Sequence, residues 1–319
     1  MAFLVGFLLF DYRVLKHIAP YLIIFSLLLL ILTKAVYLIN GYSWYKPARW
    51  LSVGSLGFQT SDIARFSILI FMAYYVDKKR DIIANFQNGL LPALVILSLI
   101  MSLIIIQPDY STAIMIGFLG MLILFIGGAK ISQILLTCSI ALLIGIPVLL
   151  SREYRRERVL SFFGIGDNPD VGYQAHQSLI SLGNGGLFGT GLGNSVEKNH
   201  FLPTPHTDFI FAIIGEELGF LIGTVPVLTL FLLIFFQGIK IAKNCNDPFG
   251  IFLSVGIVSN LILYAFVNAA VVTGLLPVTG LPMPMVSYGG SGMIINMSLI
   301  GILLNISQAK RSFGDNVWT

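Results

Sequence analysis

Residues 206–237 read HTDFIFAIIGEELGFLIGTVPVLTLFLLIFFQ. This run carries the carboxylates of Asp208, Glu216 and Glu217 near its start and is otherwise almost wholly apolar as far as Gln237. A carboxylate in or beside lipid is costly, and such a residue is by default a hypothesis for a functional site. We therefore expect any chemical centre of this chain to lie first at Asp208.

The composition of the chain predicts a membrane protein. Of its 319 residues, 56% are hydrophobic and 11% are charged, whereas about 25% are charged in an ordinary soluble domain. The charges lie between apolar runs of roughly 18 to 25 residues, the length of helix that spans a bilayer. The predicted fold class is all-α, a polytopic transmembrane helix bundle. The net charge of +4 suits the lipid bilayer as a partner and indicates no nucleic acid, and Cys138 and Cys245 are not expected to form a disulfide.

About nine segments are predicted, and no linker divides them, so we expect a single integral membrane domain over residues 1–319. The first segment, 1–10, is partial, because ten helical residues rise only about 15 Å against a hydrocarbon core of about 30 Å. The full spans are expected at 18–39, 62–77, 90–107, 111–128, 131–150, 218–239, 249–273 and 291–308.

The short loops that carry Lys and Arg should be cytoplasmic, which makes 151–206 one large extracytoplasmic loop. Four arginines of this loop disagree with the rule: either the rule is only statistical, or they have an anionic partner outside the membrane. The glycine-dense stretch 183–194 is either a tight re-entrant turn or simple loop, or a set of exposed amides that could cradle phosphate. The four arginines are Arg152, Arg155, Arg156 and Arg158.

Spacing alone allows two interpretations of Asp208. Thr207, after Pro205, fits a helix N-cap, which would put Asp208 in the first turn, where the helix dipole favours an acid. The alternative is a general base at the outer membrane face. At about 100° per residue, Glu216 falls roughly 80° and Glu217 roughly 180° from Asp208, so Glu216 could share its side of the helix.

Polar residues at the ends of other spans add candidates. Arg49 and Trp50 fit an interfacial anchor. Asp62 and Arg65, at positions i and i+3, can pair on one helix, and either this pairing or a substrate phosphate is required of Arg65 within a span. Asp109 is expected to cap the helix that follows it. No spacing typical of a zinc site or a Ser-His-Asp triad is found.

Seven blocks of this sequence, among them those that carry Arg49, Asp62 and Asp208, resemble the SEDS family of bacterial cell-wall polymerases. The members of this family include FtsW, RodA and SpoVE. The resemblance is specific, runs nearly the full length, and looks more like the division branch, FtsW. Family members have ten spans, so we expect this chain to lack the first and part of the second, as a truncated or misannotated start would. The matching blocks are 48–50, 59–65, 107–109, 154–158, 186–195, 202–219 and 273–291.

The resemblance implies a peptidoglycan glycosyltransferase that polymerises lipid II at the outer face of the bacterial cytoplasmic membrane during cell division or growth. The implied reaction inverts the configuration at the anomeric carbon of the donor sugar and releases undecaprenyl pyrophosphate. Asp208 is its expected catalytic base. The implied partners are a class B penicillin-binding protein (a transpeptidase) and other divisome or elongasome membrane proteins. No cofactor is certain, and a divalent cation, Mg or Mn, is left open. The residues expected to bind substrate are Arg49, Trp50, Asp62, Arg65, Arg152, Arg155, Arg156, Arg158, Lys198, His206, Glu216, Ser287, Gly289, Gly290 and Ser291.

Two other classes of function stay open: a lipid II flippase or transporter, and a non-catalytic division scaffold. Charges in the membrane and breaks at Gly and Pro also suit a transporter. Depth separates the two active classes, because a polymerase needs its charges at the outer face and a flippase needs a polar path to the cytoplasm.

Overall fold

The computed structural model describes residues 1–39, 49–53, 56–165, 169–198 and 202–314. Helices make up most of these ranges, which confirms the all-α fold class. Two helices continue from π-helical turns, Phe86–Leu90 before α4 and Phe220–Thr224 before α10. The α-helices are α1 (Ala2–Leu9), α2 (Tyr12–Ile39), α3 (Thr60–Lys79), α4 (Leu91–Ile106), α5 (Tyr110–Ile126), α6 (Ile131–Leu150), α7 (Glu153–Phe162), α8 (Pro169–Gly185), α9 (Ile210–Gly219), α10 (Val225–Asn244), α11 (Pro248–Val272) and α12 (Gly290–Gly314).

The predicted spans form helices, and several of their ends lie some residues away from the predicted positions. The span expected to begin at 218 begins at Ile210, and a π-helical turn after Gly219 continues the helical path into α10. The span expected from 90 begins at Phe86, where the side chain of Asn85 accepts hydrogen bonds from two backbone amides of the first turn. In the second case a local side-chain cap extends the helix beyond its apolar core.

A two-stranded hairpin lies in the segment that sequence patterns assign to a loop. Strands β1 (Trp50–Val53) and β2 (Leu56–Gln59) pair antiparallel, with Trp50 opposite Gln59. Strand β2 ends at Gln59, and α3 begins at the next residue, Thr60. The amide of Thr60 donates a hydrogen bond of 3.4 Å to the Arg49 carbonyl at the start of the hairpin. Arg49 and Trp50 are thereby fixed beside the first turn of α3.

The described helices fit a multi-pass membrane protein. Within the described ranges, six helical segments are long and apolar enough to cross a membrane by length and composition. Helix α5 is apolar but shorter, with 17 residues. Helix α3 carries charges at both ends and buries most of its side chains, from Thr60 to Val76. We therefore treat the chain as membrane-spanning.

The chain divides into two compact units by the density of its internal contacts. Unit 1 comprises residues 1–136, 236–260 and 290–319, and unit 2 comprises 137–235 and 261–289. In unit 1, α3 packs on α2 and α5, and α1 packs on α12. The single-domain organisation over residues 1–319 stays a prediction.

Unit 2 contains much of what the sequence suggests is an extracytoplasmic loop. The segment 151–206 is not one open loop, because it contains α7 and α8, and α8 packs on α9. A buried apolar cluster joins α9 to the end of α11 and the loop before α12. Its members are Leu202, Phe209, Phe211, Ala212, Ile213, Phe231, Ala265, Ala269, Val272 and Met283.

The glycine-rich stretch serves close backbone packing. The amides of Thr190 and Gly191 donate to the carbonyls of Glu216 and Glu217, at 2.9 and 3.0 Å. At Gly189, which has φ +81°, a Cβ would lie 2.2 Å from the Glu217 carbonyl oxygen. The amides of Thr190 and Gly191 are engaged within the protein, so of the two interpretations the structure favours a packed turn over a phosphate cradle.

We expect Gly189→Ala to destabilise the protein, because it adds a clash to a left-handed backbone conformation that costs about 1–3 kcal/mol for other residues. The matched control is Gly183→Ala, at a helical glycine of α8 where a Cβ meets nothing within 4 Å. Alanine there should be neutral or stabilising by up to about 1 kcal/mol. Thermal unfolding in detergent measures both, and equal midpoints would contradict the packing role of Gly189.

Candidate functional site

Asp208 does not lie in a helix. Helix α9 begins at Ile210 with Phe209 at its N-cap position, and no side chain caps it. The Thr207 hydroxyl donates to the Thr204 carbonyl at 3.2 Å. The prediction that Thr207 caps a helix with Asp208 in its first turn is therefore wrong. The helical angles from Asp208 to the glutamates lose their basis with it.

The Asp208 side chain is half-buried and faces the loop 274–289 of unit 2. A Cβ at Gly280 would lie 3.5 Å from Asp208 Oδ2, and Gly280 has φ +69°. Glycine therefore leaves room beside the carboxylate where other residues would place a side chain. The Asp208 carbonyl accepts a hydrogen bond of 2.7 Å from Asn268 Nδ2 on α11.

Sequence reasoning missed Asn268. The available signal was a polar amide within the apolar run 249–273, since polar groups inside spans are costly without a purpose. His206 and Ser287, which were predicted, do lie near Asp208 in the chain or in the fold. The His206 side chain is exposed, whereas Ser287 is buried and donates to the Thr207 carbonyl at 2.6 Å.

Glu216 anchors the glycine-rich loop. It is fully buried and accepts hydrogen bonds from Ser181 Oγ at 2.9 Å, Ser195 Oγ at 2.6 Å and the Val196 amide at 3.0 Å. These donors come from α8 and from the loop that follows it. A contact of Glu216 with substrate stays a prediction, and in this structure its carboxylate is engaged within the protein.

Lys198 is also engaged within unit 2. Its Nζ lies 2.6 Å from Glu217 Oε1 and 2.6 Å from the Gly193 carbonyl oxygen. The sequence analysis expects Lys198 to hold a pyrophosphate, but the structure gives its ammonium group two partners inside the protein. Glu217 is thereby a structural partner of Lys198.

Glu197 is a buried carboxylate close to Glu216. It is 6% exposed, and its Oε2 has no hydrogen-bond partner among the described residues. Burial raises the pKa of Glu197 above its ordinary value, and the charge of Glu216 raises it further. The loop therefore holds one carboxyl group that is stabilised by donors and one that is destabilised when ionised.

The four arginines after α6 lie on or beside α7. Arg152 is at the N-cap position of α7 and, like Arg156, is exposed. Arg155 and Arg158 are half-buried, and Arg158 Nη1 donates to the Val278 carbonyl at 3.1 Å. This bond ties α7 to the loop 274–289, which also carries Gly280. The exposed members remain available to an anionic partner.

In unit 1, Asp62 and Arg65 form the predicted pair. Arg65 is 2% exposed, and its Nη2 lies 3.2 Å from Asp62 Oδ1 and 3.5 Å from Asn296 Oδ1. Ser291 Oγ donates to Asp62 Oδ2 at 2.8 Å. Of the two alternatives for Arg65, the structure therefore contains the ion pair, and Ser291 and Asp62 join α12 to α3.

Asp109 does not cap α5 with its side chain, although it occupies the N-cap position. Its Oδ2 accepts hydrogen bonds of 2.9 Å from both Gln59 Nε2 and Ser61 Oγ. Arg49 Nη1 lies 3.7 Å from Asp109 Oδ1, with 37% of the Arg49 side chain exposed. Trp50 is exposed to the same degree, 37%, as an interfacial anchor requires.

The remaining predicted residues are two glycines at the start of α12. A Cβ at Gly289 or Gly290 would meet nothing within 4 Å, and Gly290 is the first residue of α12. No group of three or more His, Cys, Asp or Glu side chains in the described ranges is placed to hold a metal ion. The divalent cation, Mg or Mn, stays a prediction.

Removing one member of the buried pair should destabilise unit 1. We expect Asp62→Asn to lower the free energy of unfolding by about 3 kcal/mol, because it removes the Asp62 counter-charge from the buried Arg65 guanidinium. Adding Arg65→Met should recover most of the loss, since no charge then remains. Denaturant unfolding measures the three variants, with Asp81→Asn, an exposed carboxylate, as control. A wild-type stability for Asp62→Asn would contradict the pairing.

Because the pKa of Glu197 is raised in the folded protein, its ionisation lowers the free energy of unfolding as the pH rises. Between the ordinary and the raised pKa, the folded protein binds this proton more tightly than the unfolded chain does. We expect Glu197→Gln to unfold at a higher temperature than the wild type at pH 8, and the difference to vanish near pH 4. Glu153→Gln, at an exposed acid of α7, should show no such trend. A constant difference across this range would refute the assignment.

Comparisons with known proteins agree with these features. A family model described as cell cycle protein, covering FtsW, RodA and SpoVE, matches residues 1–312. A probable peptidoglycan glycosyltransferase FtsW of Geobacter sulfurreducens is 38% identical over 298 residues, which cover 93% of this chain and 79% of that protein. Stage V sporulation protein E of Bacillus subtilis is 38% identical over 290 residues, covering 91% of this chain and 78% of that protein.

Solved structures share the fold. A chain from a peptidoglycan synthase complex that coordinates polymerization and crosslinking superposes with a TM-score of 0.77 at 26% identity, covering 97% of this chain and 86% of that one. RodA of Thermus thermophilus superposes with a TM-score of 0.68 at 24% identity, covering 97% and 84%, which supports the fold alone. The resemblance inferred from sequence, with its FtsW-like branch, is confirmed: this chain belongs to the FtsW/RodA/SpoVE family of cell cycle proteins.

Proposed function

We propose that this protein is a peptidoglycan glycosyltransferase that polymerises lipid II at the outer face of the bacterial cytoplasmic membrane. Relatives of 38% identity carry the name probable peptidoglycan glycosyltransferase FtsW. The observation that supports the catalytic assignment best is the placement of Asp208. Asp208 lies just before α9, and its backbone carbonyl accepts a hydrogen bond from Asn268. Its carboxylate faces the space that Gly280 leaves open.

The reaction requires a base and a stabilised leaving group. The donor sugar of lipid II is α-linked to pyrophosphate, and the glycan product is β-linked, so a single in-line displacement accounts for the inversion. Asp208 takes the proton of the acceptor 4-hydroxyl as its oxygen attacks the donor anomeric carbon. The bond from that carbon to the pyrophosphate oxygen breaks, and undecaprenyl pyrophosphate leaves with the electron pair.

Exposed arginines of α7 suit the leaving group. Arg152 and Arg156 are exposed and can make charge-assisted hydrogen bonds to pyrophosphate oxygens. Arg155 and Arg158 lie on the same helix, and Arg158 holds it against the loop that faces Asp208. Contacts of Arg49 and Trp50 with substrate stay predictions, whereas Arg65 and Lys198 are engaged elsewhere in the protein. No step of the proposed reaction uses a metal ion held by this chain.

The proposed partner is a class B penicillin-binding protein, which would crosslink the strands that this protein makes. A structural neighbour at 26% identity belongs to a peptidoglycan synthase complex, which supports a two-protein arrangement. Other divisome or elongasome membrane proteins would place the pair at sites of division or growth.

We expect Asp208→Asn to abolish glycan-strand synthesis, because it keeps the shape of the side chain and removes the base. The assay uses purified protein with its penicillin-binding protein and lipid II in vesicles, and reads strand length on gels. Glu153→Gln, at an exposed carboxylate of α7, should polymerise at the wild-type rate.

Three outcomes separate the function classes. Full polymer synthesis by Asp208→Asn would overturn the assignment of the base. Lipid II movement between leaflets without polymer would favour a flippase. Neither activity, in a protein that still binds its penicillin-binding protein, would favour a scaffold.

A further inference from the structure

Asn268 holds the backbone of Asp208 from α11. It is 1% exposed, and its Nδ2 donates at 2.7 Å to the Asp208 carbonyl and at 2.8 Å to the Leu281 carbonyl. Both partners are acceptors, which fixes the orientation of the side-chain amide. Its Oδ1 accepts no hydrogen bond from the described part of the protein. One amide group therefore joins the segment before α9 to the loop that faces Asp208.

Two further bonds hold the residues immediately before Asp208. Ser287 Oγ donates to the Thr207 carbonyl at 2.6 Å and accepts from the Met283 amide at 2.8 Å. The Tyr288 amide donates to the His206 carbonyl at 2.9 Å. Together with the bond from α11, three consecutive carbonyls are each held by a different donor, all within unit 2. Donors from α11 and from the loop 274–289 therefore hold the backbone from His206 to Asp208.

We propose that Asn268 is a positioning residue that sets the place of the Asp208 carboxylate, with Ser287 as a second one. The inference rests on the proposed function, in which Asp208 is the base. Asn268 is too deeply buried to touch a substrate, so it acts through the backbone groups that it holds, the carbonyls of Asp208 and Leu281. A displacement of about 1 Å at a reacting group can cost about 10²-fold in rate. Ser287 is thereby moved from substrate binding to positioning.

The chain offers a matched control on the same helix. Asn260 is 0% exposed, and neither polar atom of its side chain has a hydrogen-bond partner among the described residues. It lies two turns before Asn268 on α11. The same substitution at both positions removes a buried amide from one helix, but only Asn268 touches the Asp208 backbone.

The test compares Asn268→Leu with Asn260→Leu in vesicles with lipid II and the penicillin-binding protein. Leucine keeps the number and branching of the side-chain heavy atoms and removes both N–H donors. For Asn268→Leu we expect kcat to fall at least about tenfold with KM for lipid II within about twofold, because the substrate contacts remain and the base is misplaced. Asn260→Leu should keep both constants. Rates are taken below the thermal unfolding midpoint of every variant, so that folded fractions are equal.

Ser287→Ala keeps the test decisive if Asn268→Leu does not fold. It deletes one hydroxyl and should show the same loss of kcat with unchanged KM. Wild-type kcat in a folded Asn268→Leu or, where that variant does not fold, in Ser287→Ala would overturn the positioning role. Equal losses in the Asn268 and Asn260 variants would do so as well, since they would indicate a general packing effect.

The failures of the two proposals are distinguishable. If the wild type polymerises, Asp208→Asn does not, and Asn268→Leu retains wild-type kcat, only the positioning role fails. If Asp208→Asn polymerises normally, or the wild type makes no polymer, the proposed function fails and the positioning role falls with it.

Discussion

The structure depends on one constraint, which is that backbone polar groups beside apolar helices must find their partners within the protein. The segment that carries Asp208 and the loop 274–289 are both irregular, so neither can satisfy itself through a helical ladder. Side chains from neighbouring elements supply the bonds, above all Asn268 and Ser287. The groups that make an irregular backbone tolerable are thereby the groups that fix where its carboxylate lies.

The same constraint explains the glycines of unit 2. Backbone amides of the glycine-rich loop bond to carbonyls at the end of α9, where the helix gives way to a π-helical turn. Such an approach leaves no room for a Cβ at Gly185, Gly189 or Gly219. Glu216 then fixes the far side of the loop. The glycines allow the two backbones to come into contact, and the Glu216 carboxylate holds the glycine-rich loop through its hydrogen bonds.

Sequence patterns predicted what is local. Apolar run length gave both ends of α6, and the i, i+3 spacing gave the pair of Asp62 and Arg65. The same reasoning failed at Thr207, because α9 begins only at Ile210, with Phe209 at the N-cap position. It did not foresee the internal partners of Glu216 and Lys198, which come from another element or from a distant turn. Helical periodicity predicts which face of a helix a residue occupies. It does not predict which distant parts of the chain pack against that face.

The polar cluster of unit 1 also carries a consequence for biogenesis. Arg65 lies in an early helix, whereas Ser291 and Asn296 come more than two hundred residues later, at separations of 229 and 231 positions for the two bonds that they make. A ribosome completes α3 long before it delivers α12. During synthesis the Asp62–Arg65 pair must therefore form without these partners, and a helix made much later completes the polar cluster.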